Sequence, residues 1–370
     1  SRGSVDELTF VTASCQHYEA GYFVAYRQML ADDPDFVLHL GDYIYDVSFG
    51  DTFRKHEMER TPATLDEFRL RHALYKSDEY LRAAHARLPF VAVPDNHDAL
   101  EFNDPAQLGR RAAAYQAWYE HLPIRAWYRR GSASLAIYRA VDIGELARLY
   151  VLDTRQFREE QELCGDGVDP TFALGIYRKR CDELDEPSRS MLGKEQERWL
   201  FEQMRSSKAS WNVVATTVPF VPFEFHRGGD RYVYHRSWNG YPANRERILQ
   251  HIQDLALRNP VFLSGDVHSS WVSDIESLSN GRPKTVATEF TTTSISAGWP
   301  PELAEPVSKN LAHNPQVRLY EPTRRGYCLH HVQGNRWTTR MKTLSSVTTR
   351  DPEVIELGPF VIEKGRPGVE

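Results

Sequence analysis

The sequence predicts an α/β fold with largely buried sheets, and three observations carry that expectation. Short apolar runs recur along the 370 residues, each closing on a cluster of polar residues. Segments of helical character lie between them, and that alternation implies layered helices and sheets. The composition, 41% apolar and 12% aromatic, suits an ordinary globular chain able to bury a sizeable core, which excludes disorder, collagen and coiled coil.

The first three runs are Phe10–Ala13 before Ser14 and Cys15, Phe36–Leu40 before Gly41 and Asp42, and Phe90–Val93 before Pro94, Asp95, Asn96 and His97. Two more follow: Val213–Ala215 before Thr216 and Thr217, and Val261–Leu263 before Ser264, Gly265 and Asp266. Runs this short, rich in Val, Phe and Leu and closed by Gly or Pro, read as buried strands. Helices are expected over Ala20–Ala31, Leu65–Arg87 and Glu195–Ser206. The charged stretch Glu160–Ser190 carries Gly165, Gly167, Pro170 and Pro187 and reads as a surface insertion. Cys164 and Cys181 flank its Gly- and Pro-containing part, as a loop-closing bridge would. Beyond Ser345 an edge element and a loose tail are expected, and residues 1–370 read as one catalytic domain.

Charge narrows the function classes. With 45 Lys and Arg against 51 Asp and Glu, the chain carries a formal net charge of -6 and lacks the basic footprint of a nucleic-acid binder. No stretch reaches the roughly 18 apolar residues of a membrane-spanning helix.

The potential metal ligands fall in one kind of place. Cys15, Asp42, Asn96, His97, Asp266 and His268 all stand within a few residues of a predicted strand end, and such ends gather on one edge of an α/β sheet. In LGDYIYD, residues 40–46, Tyr45 follows Asp42 by three, where the turn leaving the strand can bring both to one site. In GDVH, residues 265–268, Asp266 and His268 alternate along an extended segment and so point the same way. Thiolate, phenolate, carboxylate, imidazole and amide oxygen together suit two unlike ions. A trivalent iron accepts the first four, calcium takes Asp and Asn oxygens, and Asp42 is the natural bridge. Paired metals clamp a phosphate and acidify a bound water.

Nine strings in order, ASCQHYEAGY (13–22), LHLGDYIYD (38–46), PDNHD (94–98), LDTRQFR (152–158), RSMLGKEQERWL (189–200), WNGYPANRERIL (238–249), FLSGDVHSSW (262–271), EFTTTSIS (289–296) and RRGY (324–327), closely resemble the PhoD-type alkaline phosphatases. That family belongs to the metallophosphoesterase superfamily and includes calcium-dependent phospholipase D enzymes. The resemblance covers nearly the whole chain. It implies a four-layer αββα sandwich of two mixed sheets between helices, with Fe3+ and one or two Ca2+ at the C-terminal ends of the strands. It implies hydrolysis of phosphate mono- or diesters by a metal-activated hydroxide, and export to the periplasm or the cell exterior. By motif, Cys15, Asp42, Tyr45 and His268 form the iron shell, Asn96 and Asp266 hold the neighbouring metal with Asp42 shared, and His97 contacts the phosphate and helps the leaving oxygen depart.

The chain departs from the family where most relatives read DDHE and it reads Asp95, Asn96, His97, Asp98, and where WNGYP carries Asn239 in place of Asp. It opens on what resembles the family's linker, Ser1–Glu7, so the family's N-terminal β-domain is expected to be absent from it, and the segment about 305–345 is expected to cap the site. His17, Tyr241 and Trp271 are candidate walls of the substrate pocket. His39 reads as a satisfied buried histidine, Tyr43 as packing and Asp46 as an acceptor behind the ligands. Asp153 stands between metal ligand and partner of Arg155, and Glu289 is a minor candidate. Residues 178–180 and 245–247 read as solvated helix faces. Three other readings compete with the phosphatase: a phospholipase D-type diesterase with a phospholipid substrate, an idle calcium-binding module, and a zinc-only hydrolase.

Overall fold

The computed structural model describes residues 5–50, 53–99, 107–125, 129–159, 163–164, 177–279 and 282–370. Residues 165–176, with Gly165, Gly167 and Pro170 of the expected insertion, lie outside them. Cys164 and Cys181 are joined by a disulfide, with their Cα atoms 5.5 Å apart.

All five predicted strands form, and they divide between two large mixed sheets. In the first sheet Glu7–Ala13, Phe36–His39 and Phe90–Ala92 run parallel, and Arg325–Gln333, Arg336–Leu344 and Val354–Glu363 continue it antiparallel. In the second, Ala147–Val151, Trp211–Ala215, Pro260–Ser264 and Arg282–Thr291 run parallel, flanked by antiparallel Arg139–Ile143 on one side and antiparallel Ser270–Ser279 on the other, with Val317–Glu321 pairing antiparallel to the latter at the edge. A small sheet joins Arg178–Lys179, Asp230–Val233 and Glu224–Arg227. Residues 178–179 are therefore a strand and not the helix face expected of them.

Strand periodicity produces the layering. Val213, Ala215, Val261 and Leu263 point into a core shared with Phe10, Leu38 and Trp337 of the first sheet. Val214 and Phe262, one residue out of phase, pack instead against Leu200, Met204, Ile248 and Ile252 of the helices Gly193–Arg205 and Pro242–Asp254. Tyr26, Met29, Leu81 and Ala84 bring the helices Ala25–Asp32 and Glu79–Arg87 against the first sheet. The order is helix, sheet, sheet, helix, as expected. Trp211 reaches across the seam, its Nε1 donating to the Gln333 carbonyl at 2.7 Å.

Helix boundaries differ from expectation for local reasons. The Leu65–Arg87 run is two helices, Leu65–Ser77 and Glu79–Arg87, because the Asp78 carboxylate accepts the amides of Tyr80 and Leu81 at 3.0 and 3.2 Å and so starts a new helix. The expected Ala20 start moves to Ala25, since the Tyr22 amide donates to the Val347 carbonyl at 2.7 Å and is lost to any helix. The tail is not loose: the Glu370 amide donates to the Val361 carbonyl at 2.9 Å. In segment 305–345 the strands Val317–Glu321, Arg325–Gln333 and Arg336–Leu344 are members of the two sheets, and Arg325 donates to the His268 carbonyl.

His39 is fully buried as expected, but it is not satisfied: neither ring nitrogen has a hydrogen-bond partner. Burial, with His85 adding to it, holds His39 neutral down to about 3. Burial does the same for His330, also to about 3. Both values lie below the ordinary histidine value, so the unfolded chain takes up these protons first as pH falls. Their contribution to stability is therefore complete above pH 6.5 and declines toward pH 3, by about 1.4 kcal/mol per pH unit for each histidine. Denaturant titrations at pH 7, 6 and 5 are expected to show this fall, and His39→Leu to flatten it by one proton's worth.

Candidate metal centre

Both sheets deliver their strand ends to one place. The chain leaves those ends through left-handed residues that are not glycine: Cys15 (φ 55°), Asp42 (φ 52°), Asp266 (φ 69°) and His268 (φ 48°). Each such residue costs about 1–3 kcal/mol and persists only where its surroundings hold it. Here the loops hold one another: the Cys15 amide donates to the Gly41 carbonyl at 3.0 Å, Gln16 to Asp42 at 3.1 Å, and Ala297 to Cys15 at 3.2 Å. Two glycines allow the approach. A Cβ on Gly41 would stand 2.4 Å from the Asp95 Cβ, and one on Gly265 would stand 2.8 Å from the Ser14 Cβ.

The ligand atoms of Cys15, Asp42 and His268 all lie within 4.8 Å of one another. The Cys15 thiol faces Asp42 Oδ2 at 3.6 Å. His268 Nδ1 is 2.7 Å from the Gly298 carbonyl, which can only accept, so Nδ1 carries the proton and the Nε2 lone pair faces the cluster. Nε2 accepts from the Tyr45 hydroxyl at 3.0 Å, which brings the fourth expected ligand to the same point. Burial lowers His268 to about 3, leaving a neutral imidazole. Burial, then Asp42 and Asp266, push the Cys15 thiol well up, and burial, then Cys15 and Asp42, do the same to the Tyr45 hydroxyl. Burial raises Asp42 to about 6. Sulfur, phenol, carboxylate and imidazole converge in a buried pocket that penalises their anionic forms, and a cation reverses that penalty. This donor set fits a trivalent iron.

Asn96 and Asp266 also come together, around a cation of the chain's own. Arg155 Nη2 donates to Asp95 Oδ2 at 2.8 Å, Asp266 Oδ1 at 2.9 Å and Asn96 Oδ1 at 3.2 Å. Tyr234 Oη donates to the other Asp266 oxygen at 3.0 Å, and Thr217 Oγ1 to Asp95 Oδ1 at 2.7 Å. Burial raises Asp266 to about 7 against the opposing effect of Arg155. The oxygens are of the hard type that calcium prefers, but calcium takes six to eight of them and both Asp266 oxygens are engaged. As they stand, these residues form a guanidinium site and not a calcium cradle.

His97 stands over both groups. Its amide donates to Asp42 Oδ1 at 3.1 Å and its Nδ1 to Asp46 Oδ1 at 2.9 Å, while Arg110 Nη2 holds the other Asp46 oxygen at 2.8 Å. Its ring stacks on Tyr45, centroids 4.3 Å apart. Burial would lower it, but Asp42 and Asp46 prevail and raise it to about 9.

The three expected pocket walls stand in different settings, and Trp271 lines a cavity together with Tyr234, whose hydroxyl holds Asp266. His17 is buried behind Tyr45, ring centroids 4.7 Å apart, beside Glu19. Tyr241 is a core residue whose hydroxyl donates to the Glu159 carbonyl at 2.7 Å, because its ring packs in the apolar layer with Trp238 and Ile248. Trp271 packs against Tyr320, with Nε1 donating to Ser269 Oγ at 2.8 Å. Asp153 accepts the amides of Arg155 and Gln156, both at 3.0 Å, and Glu289 those of Phe220 and Val221 at 2.8 and 2.7 Å, so each shapes a loop. Asn239 donates to the Phe223 carbonyl at 3.1 Å. Tyr43 is packing, as expected, and Asp46 is an acceptor behind His97. Sequence reasoning missed Arg155 as the central cation and Tyr234 as a partner of Asp266; LDTRQ held the first in plain view, whereas nothing around Tyr234 marked it.

Among the described residues no helix is long and apolar enough to cross a membrane. A family model described as PhoD-like phosphatase matches residues 10–341. Alkaline phosphatase D of Bacillus subtilis strain 168 is 36% identical over 383 aligned residues, covering 99% of this chain. The chain spans 64% of that relative's length. The solved structure of PhoD superposes with a TM-score of 0.88 at 35% identity, covering 100% of this chain and 72% of that one.

The glycine contacts give a stability test. Gly41→Ala adds a Cβ at φ +102° against Asp95, whereas Gly50→Ala adds one at φ +83° in open space. Chemical denaturation is expected to show a loss of about 2–4 kcal/mol for the first and about 1 kcal/mol for the second.

Proposed function

Since the chain belongs to the PhoD-like phosphatase family, we propose that it hydrolyses phosphate esters with the help of iron held by Cys15, Asp42, Tyr45 and His268. The convergence of those four donors, three of them with ligand atoms within 4.8 Å of one another, carries the reading. The bound metal supplies positive charge toward a phosphate oxygen and an acidified water. The chain's own residues do the rest. Arg155, fixed by Asp95 and Asp266, offers a second positive charge beside the ligands, where charge develops on the transferred phosphoryl group. Asp46 keeps the proton on His97 Nδ1, so that Nε2 of the raised, protonated ring delivers its proton to the leaving oxygen. Calcium binds at Asn96 and Asp266 only by taking oxygens from Arg155. The Cys164–Cys181 bridge supports export to an oxidising compartment, and the core running across both sheets supports a single catalytic domain.

The purified protein is expected to show a visible tyrosinate-to-iron absorption band and iron at one atom per chain by elemental analysis; a colourless zinc protein refutes the assignment. Asp42→Ala is expected to lose iron and turnover together. His97→Ala is expected to keep iron and lose about 10²–10⁴-fold in kcat on para-nitrophenyl phosphate, as removal of a general acid does. Rates on that monoester, its bis-ester and phosphatidylcholine separate phosphatase, diesterase and phospholipase. Arg155→Ala is expected to raise calcium content under equilibrium dialysis, since it frees oxygens of Asp266 and Asn96; unchanged content argues that Arg155 and calcium do not compete.

A further inference from the structure

Tyr45 lies on the irregular stretch 43–50, yet its phenol must stay fixed relative to His268. A ligand on a loop is placed only as well as its peptide is held. Both backbone polar groups of Tyr45 are gripped by one helix, Leu65–Ser77: its amide donates to Tyr75 Oη at 3.0 Å, and its carbonyl accepts from Arg71 Nη1. Arg71 and Tyr75 are four residues apart, on one face of that helix, and both are buried. Arg71 is itself tied to Glu57 by its Nε at 2.9 Å.

Proton accounting extends the chain of contacts. Tyr75 Oη also accepts the Tyr18 amide at 3.2 Å, so its two lone pairs are taken by backbone donors. Its own proton then goes to the third neighbour, His56 Nε2 at 3.1 Å. His56 therefore carries its ring proton on Nδ1, which faces Glu19 Oε1 at 3.7 Å, and the same oxygen accepts the His56 amide at 3.1 Å. Burial first, then Arg71 and His17, keep the His56 ring neutral, as this arrangement requires. From Tyr45 through Tyr75 to His56 each hydrogen bond donates onward, and Glu19 holds the His56 end through its amide.

We propose that Glu19, His56, Tyr75 and Arg71 are positioning residues that fix the Tyr45 phenol against the metal centre from outside it. The inference rests on the reading of Tyr45 as an iron ligand, and a separate variant tests that reading. Tyr75→Phe removes only the hydroxyl, and His56→Leu removes the acceptor that orients it; both are expected to shift the tyrosinate-to-iron band and to lower kcat about 10–100-fold with KM nearly unchanged, the range usual for partners behind a metal ligand. His56→Gln returns an acceptor oxygen to Tyr75 and is expected to restore the band. Tyr45→Phe is expected to abolish the band. A band that survives in Tyr45→Phe refutes the ligand assignment; a band lost there but unmoved in Tyr75→Phe and His56→Leu overturns the positioning role. If Tyr75→Phe does not fold, the His56 pair decides.

Discussion

The constraint on which the rest depends is the confinement of Cys15, Asp42, Asp95 and Asp266 in one buried pocket. Like charges a few Å apart out of water repel strongly, and burial penalises each of them further. Burial first, with the neighbouring carboxylates adding to it, raises Asp42 to about 6 and Asp266 to about 7 and pushes the Cys15 thiol well up. Left alone, such a cluster would open. The protein prevents this with covalent means, by routing the backbone through left-handed turns locked between neighbouring loops, and with electrostatic means, by Arg155 and a protonated His97. A metal ion adds a third source of positive charge to a pocket already built for it.

The two-sheet architecture determines where that cluster falls. The first sheet contributes Cys15, Asp42, Asn96 and His97; the second contributes Asp266 and His268. No single sheet holds a complete set, so the spacing of the ligands is a property of the sheet-to-sheet packing. Residues as distant as Trp211 and Trp337, whose rings lie 5.7 Å apart across the seam, therefore bear on the metal centre through distance alone. Close-packed interiors transmit changes of this kind, and a cavity there would be felt at the ligands.

What could be read from the sequence follows the range of each interaction. Strands and their polar ends were legible because burial imposes a period of two and Gly or Pro marks the exit, and every expected ligand stands at such an exit. The setting of each aromatic was not legible. Tyr241 and Trp271 share their apolar surroundings with any core residue, and only the third dimension shows that Tyr241 lies among Trp238 and Ile248. Arg155 follows Asp153 by two, which suggested a local pair; its guanidinium instead spans to residues 60 and 111 positions away. Glu19, His56 and Tyr75 likewise lie on separate segments, and the direction of donation from Tyr45 through Tyr75 to His56 emerges only from counting lone pairs.

Arg155 also bears on why an amide at position 96 is compatible with this site. A carboxylate there would place a third acid against Asp95 and Asp266 around one guanidinium, adding repulsion that a single positive charge does not offset. The Asn96 amide keeps the acceptor oxygen, 3.2 Å from Arg155, without the charge. With two carboxylates and one amide, the arginine neutralises part of the cluster and leaves a net negative balance, to which a bound cation adds favourably. The Asn96 amide and the buried arginine thus set the charge of the second half of the site together.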